Sequence, residues 1–497
     1  MVLASALLLL AATPQSISDP PVYRLDDPSL GYGQAAGFLL PSRGDRGVYW
    51  TSWGAVFGVR FTPGARPELV DAPVSPLLSP DGRWAAFARS RATWVVPTSG
   101  HVGPTRLAST STPLKFLPGG RLLYRQWFRG PSMGPALWSV DPDQPGSDVL
   151  LGDDVLYDDG ARRTDTIVVS PDGERLILAN RVGRAPLWEL EIAPTDASLP
   201  ARSLGVNILR AEDLSLVRFT RDGQVLTCLG NLEPDQAPQL IAVPLDGRRP
   251  HALRELDEGT LVDVALGLAS DDAVYLVLED ERAVLYRVSL EGGRSTRLIT
   301  GSPGQVLGGL ALSALSPDGR HALLTSSMEI VGYEGPFAQL EFDVLSVAVD
   351  GVAAPLQLNE QRAGPGSLWT DRHGILHTSF PLFSSTGPRV LFSEGPRLIS
   401  ADVSGSTPPV ELTNEGGNPA HIVQFTADGR AALFWRRRGL RHELVLAHLD
   451  GTRDQVLLRG AASERAAGFT SGERGVVAIA DLGSGSAGLY LISLTYR

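Results

Sequence analysis

One cysteine and one lysine in 497 residues, and no apolar run long enough to cross a membrane, remove several classes of protein at once. Cys228 is the only cysteine, so an intramolecular disulfide and any cysteine-built metal centre are excluded. It lies in the apolar run Val225-Leu226-Thr227-Cys228-Leu229, with no adjacent Lys, Arg or His to hold a thiolate, and reads as a small buried hydrophobe. Lys115 is the only lysine, and the remaining cations are arginine, which reads as coding bias before any physical purpose. Cations are also in deficit: 44 − 55 gives a net charge of −11. General attraction to nucleic acid or anionic lipid is therefore disfavoured, and a basic partner fits better. No sustained 3.6-residue apolar period marks a long amphipathic helix.

Enough apolar material is present for a core, at 43% hydrophobic against 20% charged residues. Residues 2–12 are almost wholly apolar, about half of the roughly 20 needed to span a bilayer, and small polar residues and prolines follow. This predicts a signal peptide over residues 1–18, cut ahead of Asp19, with Ala12 as a competing site, although no Lys or Arg precedes the run. No cysteine stands near its end to carry a lipid anchor. The expected product, residues 19–497, is periplasmic or secreted and has no membrane span.

A turn signature recurs through the chain as Ser79-Pro80-Asp81-Gly82, Ser170-Pro171-Asp172-Gly173, Arg221-Asp222-Gly223, Ser316-Pro317-Asp318-Gly319 and Ala427-Asp428-Gly429. Proline presets φ, aspartate suits the next position, and glycine accepts the left-handed conformation that closes a three-residue hairpin with a bulge. Weaker versions at Arg43-Gly44-Asp45, Pro118-Gly119-Gly120, Ser270-Asp271-Asp272, Arg372-His373-Gly374 and Ser471-Gly472-Glu473 fill the gaps. The period is 222 − 172 = 50 or 318 − 271 = 47.

After each turn come two apolar strands and a short last one. The later apolar strand counts the units best, as in Trp94-Val95-Val96, Leu137-Trp138-Ser139-Val140, Leu187-Trp188-Glu189-Leu190, Leu240-Ile241-Ala242-Val243 and Leu285-Tyr286-Arg287-Val288. Residues 345–348, 444–447, 56–60, 397–400 and 489–493 complete the set. Each unit is thus a four-stranded meander, in a chain with Gly 54 and Pro 37. Such sheets cover their apolar faces by packing radially, so the fold class is all-β, a β-propeller of about ten repeat units. The last unit ends after its third strand, while Val22-Tyr23-Arg24-Leu25 resembles an unattached fourth. Pairing of these N- and C-terminal strands is predicted to close the ring and remove two exposed edges; one ring is preferred over two discs.

The Ser-Pro-Asp-Gly turn, the following apolar strand and a Leu-Tyr or Leu-Trp strand ending near Asp-Gly together resemble the TolB-like, WD-like propeller family. Leu285-Tyr286 leading to Glu291-Gly292-Gly293 and Thr296-Arg297-Leu298 is the fullest copy of the second half, and the resemblance covers about residues 31–497. It implies a propeller; family members serve as periplasmic binding scaffolds, as propeller domains of serine peptidases and occasionally as polysaccharide lyases. The family's namesake carries an α/β domain before its propeller, whereas the first unit begins here by about residue 35. Its partnership is therefore not implied.

Gly130-Pro131-Ser132-Met133-Gly134 matches a nucleophile elbow, but Pro135 and the strand from Leu137 leave no room for the required helix. His373 and His377 on a strand stand about 13 Å apart, too far to share a metal ion. Asp141, Asp143, Gly146 and Asp148 are a poor calcium loop, broken by Pro142 and Pro145, and Asp153, Asp154, Asp158 and Asp159 read as a solvated acidic loop. The candidate site comes from the architecture. The strand before each Asp-Gly turn lies innermost, so its first residues line the mouth of the central channel. These are Asp165, Asp213, Asp263, His421 and Arg465, each about seven to ten positions before its turn. They suggest a non-catalytic binding scaffold for a protein, peptide or glycan, monomeric, without nucleic acid, metal or cofactor. The alternative is a propeller-type enzyme, a polysaccharide lyase or hydrolase. A metal-dependent version would bring His421 and two rim carboxylates within about 4 to 5 Å of one point.

Overall fold

A computed structural model of the chain describes residues 20–26, 34–73, 76–127, 135–152, 168–181, 188–208, 214, 216–233, 237–255, 260–266, 271–303, 310–334, 337–370, 376–378, 382–384, 387–394, 397–412, 419–462, 466–482 and 487–494. Apart from the 3-10 turn Ser471–Glu473, the regular structure of the described residues is strands, arranged in nine antiparallel sheets. Eight are one blade each, and the ninth, of ten strands, contains two, which makes ten blades. The protein is a ten-bladed β-propeller. Blades are numbered in chain order from the one that begins with Ala35–Leu39, and the strands of a blade are its first to fourth from the channel outward. The later apolar strand of every sequence repeat is the third strand of a blade.

The apolar faces are shared as the radial arrangement requires. Val48 and Val56 of blade 1 pack with Phe87 and Val96 of blade 2. Leu391 and Leu398 of blade 8 pack with Phe434 and Val445 of blade 9 in the same way. Ten such clusters, each drawn from two consecutive blades, follow one another round the molecule. One of them joins Tyr49 and Phe57 of blade 1 to Val477 and Leu491 of blade 10, so the series closes as a single ring. Each fully buried Val, Leu or Phe in these layers contributes about 1.5–3 kcal/mol.

The two chain ends also share one blade, completing the ring. Strand Val22–Arg24 is the fourth strand of blade 10, pairing Val22 with Ile492, Tyr23 with Leu491 and Arg24 with Tyr490. Leu25 then enters the core between blades 10 and 1, and Asp26 accepts the Leu489 amide at 2.9 Å. Edge pairing of two chain ends thus takes the place of a covalent link.

The turns between first and second strands follow the recurring signature with one difference. Ser79 accepts the Gly82 amide on its carbonyl at 2.9 Å and the Trp84 amide on its hydroxyl at 2.9 Å, while its own amide donates to the Trp84 carbonyl. The loop therefore holds four residues, 80–83, not the expected three. A side-chain oxygen stands in for the backbone carbonyl already occupied by glycine. Gly82 has φ of 72°, and a Cβ there would meet the Arg46 carbonyl oxygen at 1.9 Å, so no other residue fits.

A second difference lies between blades 7 and 8. Arg372-His373-Gly374 is not the inner turn of blade 8; it falls in residues 371–375, outside the described residues, between paired strands Ala363–Thr370 and Leu376–Thr378. The inner turn of blade 8 joins Leu382–Phe383 to Arg389–Glu394, where the Ser384 amide donates to the Arg389 carbonyl at 2.9 Å. Ala363–Thr370 pairs with both Phe337–Ala348 and Arg389–Glu394, stitching the two blades into one sheet. A glycine turn signature is local and does not distinguish a blade hairpin from an inserted one.

Candidate functional site at the channel wall

First strands of neighbouring blades approach one another between blades 2 and 3, 5 and 6, 6 and 7, 7 and 8, and 9 and 10, so these strands form the channel wall. Strand Thr260–Leu266 of blade 6 carries Asp263. Its Oδ1 accepts the Val264 amide at 2.8 Å. The Arg218 guanidinium, from strand Arg218–Phe219 of blade 5, stands 3.9 Å from the same oxygen. Neither side chain is buried, with 43% of Arg218 and 39% of Asp263 exposed. A cation and an anion from adjacent inner strands therefore meet at the wall, open to water.

Strand Pro419–Phe425 of blade 9 carries His421, paired across the backbone with Trp435. Asp165, Asp213 and Arg465 lie outside the described residues. Lys115 is exposed on strand Ser111–Phe116, the first of blade 3, beside a register shift between Pro113 and Lys115. Arg218 and Lys115 are not among the residues that the turn spacing points to: they stand four and three positions before Asp222 and Pro118, closer to the turn than the seven to ten positions of the expected channel mouth. The signal available in advance was a charge on an otherwise small or apolar inner strand.

Other groups singled out by sequence have structural partners. Asp143 accepts from the Arg83 guanidinium at 2.8 Å and from the Trp84 indole at 3.1 Å, and Tyr124 donates to Asp148 at 2.6 Å. The loop between the third and fourth strands of blade 3 is thus a clasp onto blade 2. Residues 130–134 and Asp153, Asp154, Asp158 and Asp159 lie outside the described residues, as does His373. Between blades 5 and 6, Arg254 lies 4.0 Å over the Tyr286 ring and 2.7 Å from Glu279. Burial pulls its pKa down, but hydrogen bonds to Tyr275 and Tyr286 outweigh this and hold it above the ordinary arginine value. Among the described residues, no three His, Cys, Asp or Glu side chains converge as a set of metal ligands.

No family model matches the chain, and no curated protein does. Solved structures do. An oligogalacturonate lyase in complex with manganese is 14% identical, over 66% of this chain and 88% of its own, with a TM-score of 0.36. A eukaryotic initiation factor is 11% identical over 84% and 96%, with a TM-score of 0.49. Dipeptidyl peptidase 4 of Porphyromonas gingivalis is 10% identical over 72% and 57%, with a TM-score of 0.42. At this identity the likeness is one of fold alone.

Proposed function

We propose that this protein is an exported, TolB-like, non-catalytic scaffold that receives a protein, peptide or glycan segment at the channel wall. The observation that carries the reading is the open Arg218–Asp263 pair. An exposed ion pair contributes at most about 1 kcal/mol, so an entering ligand with its own charges replaces that contact at little cost. Lys115 supplies a second cation on the same wall. Groups of both signs suit a peptide or a polar glycan better than a uniformly charged polymer. The leader at residues 1–18 supplies the export signal.

Binding to peptide and glycan arrays tests this, with the full exported chain compared with Asp263→Asn, Arg218→Gln and Lys115→Gln. Ligands of the native protein should bind about tenfold more weakly to at least one wall variant, the loss of about one charge-assisted hydrogen bond. Unchanged binding in all three, or glycan cleavage abolished by them, would replace this reading.

A further inference from the structure

The two faces of the ring end differently. Turns between first and second strands touch their neighbours: the Arg43 amide donates to the Pro80 carbonyl at 2.6 Å, Arg175 to the Gly223 carbonyl at 3.1 Å, and the Ser384 hydroxyl to the Gly429 carbonyl at 2.9 Å. These tight turns form one face. In an antiparallel meander, the hairpins joining second to third strands lie at the opposite end.

On that opposite face, three consecutive blades bring large apolar side chains into water. Leu440 of blade 9 is 85% exposed, Leu482 of blade 10 is 38% exposed and Trp53 of blade 1 is 75% exposed. Two of these hairpins are closed by pairing: Arg438 pairs with Arg441 across the Leu440 tip, and the Gly54 amide beside Trp53 donates to the Thr51 carbonyl at 3.0 Å. The Leu440 tip reads Arg436-Arg437-Arg438-Gly439-Leu440-Arg441 in a chain of net charge −11; Arg436 pairs with Glu443 at 2.9 Å and Arg438 stands 3.9 Å from the same side chain, so the tip's net positive charge rests on Arg437 and Arg441. Arg437 donates to the Gly439 carbonyl at 3.0 Å and Arg441 to the Gly460 carbonyl at 3.2 Å, so these bonds leave both charges uncompensated.

A hydrated polyanion would engage the arginines but leave Leu440 and Trp53 in water. A bilayer surface accepts both, because arginine meets lipid phosphate while leucine and tryptophan enter the interfacial layer. We infer that the sector formed by blades 9, 10 and 1 docks on anionic phospholipid, with Arg437 and Arg441 against headgroups and Leu440 and Trp53 inserted between them. Overall net charge opposes such contact, but attraction acts within a Debye length of about 10 Å at 0.1 M salt, where the local charge governs.

Flotation of the full chain with vesicles of phosphatidylcholine alone or mixed with phosphatidylglycerol tests the inference. Binding should require the anionic lipid and weaken with salt. Removing two charges in Arg437→Gln/Arg441→Gln should weaken it about 30-fold, about fivefold per arginine. Leu440→Ser/Trp53→Ser should also release the protein, while Val352→Ser, an exposed apolar residue on the opposite face, should not. Since Cys228 is buried, a polarity-sensitive fluorophore on Leu440→Cys reports this tip selectively and should shift to the blue only with anionic vesicles. Three results would overturn the inference: equal binding to neutral vesicles, binding of a soluble polygalacturonate without a blue shift or flotation, or self-association abolished by the same variants.

Discussion

Ser316 is fully buried, and its hydroxyl donates to Asp318 at 2.6 Å while accepting the His321 amide at 2.9 Å. Thr220 and Thr426 make the same pair of bonds, to Asp222 and Val225 and to Asp428 and Ala431. A hydroxyl is therefore the required chemistry, and the extra methyl of threonine is tolerated. Ser316→Ala should cost about 1–3 kcal/mol by stranding a buried amide, whereas Ser316→Thr should retain most of that stability; chemical denaturation of both variants measures it. Serine, aspartate and glycine could be read as a turn from their order alone. The four-residue loop could not, because it depends on which oxygen each amide finds. The channel wall divides likewise: Asp263 was legible, but Arg218 was not, since only packing of adjacent blades brings it to 3.9 Å from that carboxylate.

At the scale of a strand, Val22–Arg24 is the most exposed test of the architecture. It makes three residue pairs with the third strand of blade 10 and is followed by Leu25, buried in the layer that joins blade 10 to blade 1. Leu25→Ala should destabilise the protein by about 2–5 kcal/mol, the usual cost of emptying such a site. Deleting residues 20–26 should unseal the ring, and limited proteolysis should then cut blade 10 first; uniform resistance would show that strand pairing does not hold the closure. The short apolar runs located the third strand of every blade because those strands are buried on both faces. It misplaced the inner turn of blade 8, since an inserted hairpin obeys the same turn rules as a blade. Long-range pairing of Ala363–Thr370 with two blades leaves no local mark.

The ring as a whole is held by turns whose carboxylates share one electrostatic state. In Asp172, Asp222 and Asp428 the hydroxyl hydrogen bond is the largest influence, reinforced by a backbone amide, and all three pKa values lie below the ordinary 3.8. In Asp81 and Asp318 burial pushes upward most strongly, yet hydrogen bonds together override it and the result is again a lowered pKa. Folded values below unfolded ones mean that these groups stabilise the protein fully above about pH 4 and lose that contribution as acidification carries pH through the folded values. Thermal melting should therefore fall steeply below about pH 4, and Asp172→Asn with Asp222→Asn should flatten the fall. A profile unchanged by those substitutions would assign the acid transition to other carboxylates.

Apolar runs, turn chemistry and the absence of a helical period determined the strand order, the blade number and the open fourth strand at the chain start, because each is set by residues close together along the chain. Which charges share the channel wall, how blades 7 and 8 are stitched, and which hairpin tips form one face were decided only by tertiary structure. Those relations join residues far apart along the chain, and the radial packing of apolar sheet faces alone brings them together.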